Sequence, residues 1–555
     1  MKRLSEIEGI PLSEEPGLGA LTLPGFLAEI ANKHSAREAL CWRDLSGINR
    51  RWTYAEFFDE ARNVAKALSA SGVGKDARVG VLVSNRPEWL FSMFGAAMAG
   101  AVTVALNTFS TRQELQHQLQ VADVELLIME AEVASRDFIT DIFDLCPGLT
   151  DSAPGELYLE ELPFLRRVVC VDNDRAVRGI QGWRDFVSGG EDIPNSIVQA
   201  KITSISPVDQ GLIFFSSGST ALPKAILHTH RAAALQCWRF GKWFELDSSV
   251  RTCSANGFFF SGNFAQASGT LSVGGCLVLL RYFDPDRALE LIQSEKVSSV
   301  VAWPHQEARL RECPGWDTAD FSSLRFINTD SAFRSHPTVD TDRQGMNGYG
   351  MTETFTFVAG VSGSENTEGS HGIVIPGNTM RIIDPDTGET LPFGETGEII
   401  VKGPTVMLGY LKVPPEVTFD AEGFIHTADA GYLTEDGHLY WKGRLSDIIK
   451  TGGANVSPTE VDTVLFEHPA IQSSCTLGVP HDSLGEIVVS CVILHEGQHL
   501  DQESLQIWAR QYLASYKVPR KVLFFTEDEL PMTGSSKVRR SALREIATKR
   551  LCEKR

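Results

Sequence analysis

The stretch Ser-Ser-Gly-Ser-Thr-Ala-Leu-Pro-Lys, residues 216–224, combines residue types that can bind a phosphate group. It follows the apolar run 211–215, which predicts a strand that ends where the loop begins. Small residues let backbone N–H groups converge on an anion, the hydroxyls add donors, and Lys224 adds a positive charge. The stretch does not fit the commonest phosphate loop, which needs two glycines separated by four residues and then Lys-Ser/Thr. On composition alone, a Ser/Thr-rich surface turn is an equally good interpretation.

Charge and cysteine content limit the classes of function. The chain has 555 residues and a formal net charge of −20. This charge argues against a nucleic-acid partner, because a phosphate backbone needs a basic surface. The ten cysteines form no Cys-x-x-Cys pair, which argues against a zinc or redox motif. Most lie in apolar segments, as buried free thiols do, and this favours a reducing cytoplasm.

The first three-quarters of the chain alternates short apolar runs with helical patterns. This alternation predicts an α/β fold, with a large N-terminal domain of parallel sheets flanked by helices. One helix, 54–71, begins with Thr53 and Glu56 in a capping-box pattern. The uncharged segment 89–106 is better interpreted as a buried helix leading into a buried strand than as a membrane span. The predicted strands are 78–83, 101–106, 124–129, 167–171, 212–215, 276–280, 297–302 and 324–327.

The pattern changes after about residue 372. A small β-rich region is expected there, with Asp436-Gly437 as the turn of a hairpin. From about residue 445 the chain restarts as a small α+β domain, so the predicted domains are 1–445 and 446–555. The first helix of the second domain opens with Ser457 as N-cap, Pro458 at the first helical position and Glu460 closing a capping box.

Five further stretches change the interpretation of the 216–224 loop. They are Tyr-Gly-Met-Thr-Glu-Thr (349–354), Thr-Ala-Asp-Ala-Gly-Tyr-Leu (427–433), and the segments 442–462, 513–520 and 531–544. Together they resemble the adenylate-forming superfamily of acyl-CoA synthetases, luciferases and nonribosomal adenylation domains. The resemblance covers residues 27–543 in the same order.

The resemblance implies a ligase that works in two half-reactions. A carboxylate attacks the α-phosphate of ATP and gives an acyl-adenylate and pyrophosphate. A thiol, expected to be that of coenzyme A, then displaces AMP and gives a thioester. Attack on the α-phosphate builds negative charge on the phosphate oxygens in the transition state. Catalysis therefore needs positioning and positive charge, so Mg²⁺ is expected as well. The implied second domain is a mobile lid that presents one face for each half-reaction.

The resemblance also assigns roles to residues. The implied catalytic residues are Lys224, Thr352, Glu353 (also the ligand of Mg²⁺) and Lys537. The implied nucleotide-binding residues are Ser216, Ser217, Gly218, Ser219, Thr220, Ser331, Ala332, Tyr349, Gly350, Asp429 and Arg444. The implied acyl pocket contains Phe259, Phe260, Asn263, Trp303, Gly348 and Met351. The implied coenzyme A loop contains Gly452, Gly453 and Asn455, and the hinge position is Ser446. Ordinary alternatives are a Thr/Glu helix cap for 352–353 and core packing for Tyr349 and the aromatic residues.

Several positions depart from the family pattern. Ser219 replaces a threonine, Ala221 and Ala225 replace glycines, and Ala428 replaces the glycine before the aspartate. Ser446 replaces Asp or Lys at the hinge, Asp330-Ser331-Ala332 stands where Gly-Gly-Ala is usual, and Phe260 replaces a gating histidine. Loss of glycine disfavours backbone with positive φ, so loop geometry and rate are the properties at risk.

The aromatic residues near 258–263 and 302–306 predict an apolar acid as substrate: fatty, alicyclic or aryl. One alternative is an adenylating enzyme that passes its acyl group to a carrier-protein thiol or another acceptor. Another is a nucleotide-binding family member with weak or no catalysis. A luciferase-type oxygenase has no distinctive support. The expected partner is a small carboxylic acid, with no nucleic acid and no transmembrane segment; a homodimer and the pathway stay open. The expected location is the cytoplasm.

Overall fold

A computed structural model describes residues 3–44, 47–153, 155–172, 177, 179–216, 222–328, 331–343, 345–362, 365, 367–451, 454–481, 483–532 and 538–553. The helices are α1 (Leu23–Lys33), α2 (Tyr54–Ala70), α3 (Pro87–Ala99), α4 (Arg112–Val121), α5 (Phe138–Leu145), α6 (Trp183–Ser188), α7 (Asn195–Ser204), α8 (His230–Trp243), α9 (Ser261–Ser272), α10 (Pro285–Ser294), α11 (Pro304–Arg311), α12 (Pro415–Thr418), α13 (Pro458–Phe466), α14 (Gln502–Ala509) and α15 (Arg540–Glu553).

The strands are β1 (Glu6–Glu8), β2 (Glu38–Arg43), β3 (Asn49–Thr53), β4 (Arg78–Leu82), β5 (Val102–Ala105), β6 (Leu126–Met129), β7 (Glu132–Val133), β8 (Arg136–Asp137), β9 (Arg167–Cys170), β10 (Ile180–Gly182), β11 (Gln210–Ser216), β12 (Lys224–Thr229), β13 (Arg251–Ser254), β14 (Cys276–Leu279), β15 (Ser299–Val301), β16 (Asn347–Met351), β17 (Thr356–Val361), β18 (Ile373–Val374), β19 (Thr379–Ile383), β20 (Gly397–Lys402), β21 (Gly409–Tyr410), β22 (Ile425–Leu433), β23 (Leu439–Arg444), β24 (Ile449–Thr451), β25 (Ala454–Val456), β26 (Ile471–His481), β27 (Gly485–Leu494) and β28 (Lys521–Phe524).

The chain forms two compact units. The larger unit comprises 8–379 and 402–425, and the smaller unit comprises 1–7, 380–401 and 426–555. The β-rich strands of 380–401 and 426–444 thus group with the C-terminal residues. The domain boundary predicted after residue 445 stays a prediction.

Two mixed sheets form the frame of the larger unit. The first has the strand order β10-β9-β6-β4-β5-β11-β12-β21, and the second has the order β15-β13-β14-β2-β3. Neighbours from β10 to β11 are parallel, whereas β12 and β21 continue the first sheet in antiparallel fashion. The predicted α/β class is confirmed. The antiparallel strand β12 begins at Lys224.

Helix α3 explains the uncharged segment 89–106. It is buried on almost every side, ends at Gly100 in the left-handed conformation, and leads into the buried strand β5. Gly95 allows α2 to approach closely, since a Cβ there would lie 2.7 Å from Val64 Cβ and 2.8 Å from the Ala61 carbonyl oxygen. The buried helix-to-strand prediction is therefore confirmed. Within the described ranges, no helix is both long and apolar enough to cross a membrane.

Seven of the eight predicted strands are present, as β4, β5, β6, β9, β11, β14 and β15. The prediction of a strand at 324–327 is wrong. The amides of Arg325 and Phe326 both donate to one acceptor, the carbonyl oxygen of Ser298, at 2.9 Å each. A ladder needs successive acceptors along the partner, so these residues cross the end of β15 without pairing as a strand.

The smaller unit contains two further sheets, ordered β1-β19-β20-β22-β23 and β25-β24-β27-β26, with β28 parallel to β27. The predicted hairpin at Asp436-Gly437 is confirmed, because β22 and β23 pair antiparallel on either side of it. Ser457 caps α13 as predicted, accepting from the Glu460 amide. The expected return bond from Glu460 is wrong. Its carboxylate accepts instead from Lys517 Nζ at 2.6 Å.

Candidate active site

The 216–224 loop joins two neighbouring strands of the larger unit. Ser216 ends β11 and Lys224 begins β12, and the two residues are directly opposite each other in the antiparallel register. The described end of the loop is held by His117 of α4, whose Nε2 lies 3.0 Å from the Pro223 carbonyl oxygen. The predicted loop residues Ser217, Gly218, Ser219 and Thr220 lie outside the described residues. The sheet thus places the Lys224 backbone where the loop closes.

The Thr352–Glu353 pair occupies a tight turn directly after β16. Thr352–Thr354 forms one turn of 3₁₀ helix, and the buried Thr354 hydroxyl organises it. That hydroxyl accepts from the Met351 amide at 3.0 Å and lies 2.5 Å from the Thr356 carbonyl oxygen. Thr354, and not the Thr352–Glu353 pair, makes the local side-chain bonds of this turn.

Two consecutive residues after this turn have a left-handed backbone. Phe355 has φ 47° and Thr356 has φ 87°, values that cost energy for bulky and β-branched residues. The fully buried Phe355 ring compensates by packing on Phe214 and His228, with ring centroids 5.5 and 4.9 Å apart. Strain of this kind is typical of functional sites, and here it directly follows the turn that carries Glu353.

His228 holds the backbone of the turn from β12. Its Nε2 lies 2.8 Å from the Thr352 carbonyl oxygen, and because a carbonyl can only accept, Nε2 carries the hydrogen. Complete burial lowers the pKa of His228 to about 3. The imidazole is therefore neutral near neutral pH, and it acts as a fixed donor to the turn.

Tyr410 connects Glu353 with Lys224. The Tyr410 hydroxyl donates to Glu353 Oε1 at 2.9 Å, and the Lys224 ammonium lies 4.7 Å from the centroid of the Tyr410 ring. The sheet produces this arrangement, since Tyr410 of β21 lies opposite Ile226 of β12. Lys224 is two residues from Ile226, so its side chain points to the same face and is a diagonal neighbour of Tyr410.

Aromatic rings meet where the acyl pocket is predicted. Phe259 and Phe260 have centroids 4.7 Å apart, and Phe260 lies 5.4 Å from Trp303. Phe259 is buried, whereas Phe260 and Trp303 are half-buried. The Asn263 side chain accepts from Ser254 Oγ at 2.5 Å and donates to the Asn256 carbonyl oxygen at 2.5 Å. Asn263 is thus engaged in fixing the first turn of α9.

The residues predicted near adenine lie on two elements of the larger unit. Ser331 and Ala332 are held by Glu307 of α11, which accepts from Ser331 Oγ at 2.9 Å and from the Ala332 amide at 2.7 Å. Tyr349 lies in β16 and is 6% exposed, as its core-packing alternative requires. Its stacking role on adenine stays a prediction.

Three other predicted residues share β16 with Tyr349. Gly348 and Met351 are half-buried, and Gly350 is exposed. A Cβ on Gly350 would lie 1.8 Å from the carbonyl oxygen of Thr356 in the paired strand β17. Only glycine fits at this position of the strand.

In the smaller unit, Asp429 and Arg444 face each other. They are directly opposite in the β22–β23 register, and Arg444 Nε lies 3.1 Å from Asp429 Oδ1. Arg444 Nη1 also donates to the Thr427 carbonyl oxygen at 2.7 Å. The Asp429 side chain is buried, and the Arg444 side chain is about half exposed. The pair predicted to bind ribose is therefore preassembled.

Ser446 follows this pair in a short 3₁₀ turn. It is exposed, and its hydroxyl donates to Asp447 Oδ1 at 3.1 Å. An exposed residue whose side chain bonds to the next residue in the chain suits a hinge. The hinge role of Ser446 stays a prediction. Asn455 lies in β25 opposite Lys450, and Gly452, Gly453 and Lys537 lie outside the described residues.

Comparison with known proteins identifies the family. The AMP-binding enzyme family model matches residues 27–411, and the AMP-binding enzyme C-terminal domain matches residues 460–537. The chain belongs to the AMP-binding enzymes. This membership confirms the resemblance predicted from the motifs.

Similar proteins extend the identification over nearly the whole chain. The feruloyl-CoA synthase of Amycolatopsis sp is 31% identical over 504 residues, which cover 89% of this chain and 93% of the relative. The structure of the anthranilate CoA ligase AuaEII with anthranoyl-AMP is 25% identical, has a TM-score of 0.79 and covers 97% of this chain and 99% of that chain. ATP-bound MatB from Rhodopseudomonas palustris is 25% identical, with a TM-score of 0.76 and coverages of 95% and 99%.

These findings confirm that this AMP-binding enzyme is an AMP-forming acid–thiol ligase. The use of ATP and coenzyme A follows from the family. The roles of individual residues, the acid and the metal ion belong to the proposals below.

Three residues that contact predicted site residues were missed from the sequence of this AMP-binding enzyme: His228, Glu307 and Tyr410. Each contacts a predicted residue far away in the chain, by 124, 24 and 57 positions respectively. The signals in the sequence were weak: His228 directly follows the apolar run 225–227, and Tyr410 forms a Gly-Tyr pair with Gly409.

Ala428 provides a test of the departure next to Asp429. Its φ is 56°, a left-handed backbone that favours glycine. We expect Ala428→Gly to raise the free energy of unfolding by about 0.5–1 kcal/mol, because relief of strain outweighs the added freedom of the unfolded chain. Urea unfolding of the full chain measures this. The matched control is Ala430→Gly in the same strand, where φ is not positive and a loss is expected instead. Equal losses in both variants would contradict the strain at Ala428.

Proposed function

We propose that this enzyme activates an apolar carboxylic acid (fatty, alicyclic or aryl) as an acyl-adenylate, releases pyrophosphate, and transfers the acyl group to coenzyme A. The observation that carries the substrate class is the contact of Phe259, Phe260 and Trp303, whose rings form one continuous apolar surface. Aromatic rings recognise apolar and flat groups through buried area and ring geometry. The similar feruloyl-CoA synthase and anthranilate CoA ligase act, by their names, on aryl acids, which supports the aryl part of this range.

The adenylation roles are proposed for residues that the larger unit positions. Lys224 supplies positive charge to phosphate oxygens at the end of the loop. Thr352, at the turn held by His228, orients the α-phosphate, and Glu353 of the same turn would hold the metal ion. Positioning plus positive charge is what phosphoryl transfer needs from a protein.

The residues present fit Mg²⁺. Glu353 offers a carboxylate on a half-buried turn, and Mg²⁺ is bound in proteins through one or two carboxylates together with phosphate oxygens. Glu353 would hold the ion, which would supply positive charge at the phosphates. The Tyr410 hydroxyl fixes one oxygen of this carboxylate.

The smaller unit contributes the proposed ribose site and the proposed lid functions. The buried Asp429 accepts ribose hydroxyls, and the adjacent Arg444 orients it. Lys537 serves adenylation, Ser446 serves as hinge, and Gly452, Gly453 and Asn455 line the path of coenzyme A. The domain boundary after 445 and the cytoplasmic location stay predictions, and the oligomeric state stays open.

The decisive experiment measures pyrophosphate release from ATP and Mg²⁺ across fatty, alicyclic and aryl acids. Each acid is tested with and without coenzyme A, and products are identified by mass. Acyl-CoA from an apolar acid supports the proposal. Trp303→Ala should then raise the KM for the preferred acid more than the KM for a smaller acid. An enzyme that turns over only small polar acids, or whose acyl-adenylate accumulates despite coenzyme A, would contradict it.

Lys537→Ala separates the two half-reactions. We expect acyl-adenylate formation to fall about 100-fold or more, because a donor to developing negative charge is lost. Thioester formation from supplied acyl-adenylate should stay close to that of the wild type. The two rates are measured in quenched reactions in which each half-reaction is run alone. Equal losses in both would refute the role given to Lys537.

A further inference from the structure

We propose that Tyr410 is a positioning residue that holds the Glu353 carboxylate and the Lys224 ammonium apart and ready for metal and phosphate. The inference rests on the proposed roles of Glu353 and Lys224. Tyr410 lies outside the five motif stretches between residues 349 and 544.

The first observation is that Tyr410 contacts both groups in different ways. Its hydroxyl donates to Glu353 Oε1 at 2.9 Å, and its ring lies under the Lys224 ammonium at 4.7 Å from the centroid. A hydroxyl can donate to a carboxylate while the ring face attracts a cation, so one side chain serves both charges.

The second observation is that the two charges do not neutralise each other. Among the residues that the structure describes, Lys224 forms no ion pair, and Tyr410 is the residue whose side chain donates to the Glu353 carboxylate. A direct Lys224–Glu353 pair would occupy the same carboxylate oxygens and ammonium donors that metal and phosphate need. The cation–π contact leaves the ammonium donors for phosphate oxygens.

The third observation is that the backbone around Tyr410 bonds both to strand β12 and to the turn of Glu353. The backbone of its strand pairs with β12, through Leu408 N to the Leu227 carbonyl oxygen at 2.7 Å and Leu411 N to the Ala225 carbonyl oxygen at 2.9 Å. The Met407 amide donates to the Glu353 carbonyl oxygen at 2.8 Å. The segment 407–411 therefore ties the turn of Glu353 to the strand of Lys224.

The test uses Tyr410→Phe, which removes only the hydroxyl, and Tyr410→Leu, which also removes the ring. The matched control is Tyr54→Phe, because Tyr54 is a buried tyrosine whose hydroxyl bonds the carbonyl oxygens of Leu271 and Gly275, away from Glu353 and Lys224. Glu353→Gln serves as the reference for loss of the carboxylate itself.

The readout is Mn²⁺ binding to the full chain in the presence of α,β-methylene-ATP, followed by electron paramagnetic resonance without any acid. We expect Tyr410→Phe to weaken Mn²⁺ binding about tenfold or more, the effect of losing a hydrogen bond to a charged group. The Mg²⁺ concentration that gives half-maximal pyrophosphate release should rise by a similar factor, because the same carboxylate would hold either ion. Tyr410→Leu should in addition raise the KM for ATP about threefold.

Each outcome decides the inference. It is overturned if Glu353→Gln weakens Mn²⁺ binding and Tyr410→Phe does not, or if Tyr54→Phe weakens it equally. If neither Glu353→Gln nor Tyr410→Phe changes Mn²⁺ binding, the metal role of Glu353 fails and the inference fails with it. If Tyr410→Leu does not fold, the Tyr410→Phe result alone decides.

Discussion

Glu353→Gln should slow acyl-adenylate formation about 100-fold or more, the size of effect seen when one preorganised electrostatic group is removed from an active site. The amide keeps the shape of the side chain and can still accept from the Tyr410 hydroxyl, so the turn at 352–354 should stay in place. What is lost is the charge that a hard cation prefers. Pyrophosphate release measured against Mg²⁺ concentration should therefore show a large shift in the Mg²⁺ requirement, with partial recovery at high Mg²⁺.

The matched control for this variant is Glu365→Gln, since Glu365 is an exposed carboxylate in the same unit. Its rate and Mg²⁺ requirement should equal those of the wild type. A Glu353→Gln enzyme with a normal Mg²⁺ requirement would show that the carboxylate does not hold the metal.

Gly350→Ala should disrupt both stability and catalysis. The added Cβ would lie 1.8 Å from the Thr356 carbonyl oxygen and 2.6 Å from Phe357 Cα, which are backbone atoms of the paired strand. Neither can rotate away, so β16 and β17 must separate. We expect a loss of about 3 kcal/mol in the free energy of unfolding, the upper range for overpacking. The turn at 352–354 follows directly, and a displacement of about 1 Å can cost about 100-fold in rate.

Urea unfolding and the rate of acyl-adenylate formation measure these two effects. Gly74→Ala is the control, because the same Cβ at Gly74 meets no atom within 4 Å and its φ is not positive. Gly350→Ala with wild-type stability and rate would mean that β16 and β17 do not pair as described.

The fold class and many elements could be predicted from the sequence. Hydrophobic periodicity and caps reflect local physics: Thr53 and Glu56 form their capping box, and Asp436-Gly437 turns its hairpin. The strand predicted at 324–327 failed because an apolar run reports burial and not hydrogen-bond partners. In the structure the amides of Arg325 and Phe326 both donate to the carbonyl oxygen of Ser298.

For the candidate site too, the sequence determined some features and only the tertiary structure decided others. The sequence by itself determined the family, the order of the motifs and the residue types in them, such as Lys224, Glu353 and Asp429, because short-range spacing carries that information. Only the tertiary structure decided that Tyr410 lies between Lys224 and Glu353 and that His228 holds Thr352. Those contacts depend on the register of β12 with β21 and on a strained turn packed on Phe214, and register is set by pairing between strands far apart in the chain.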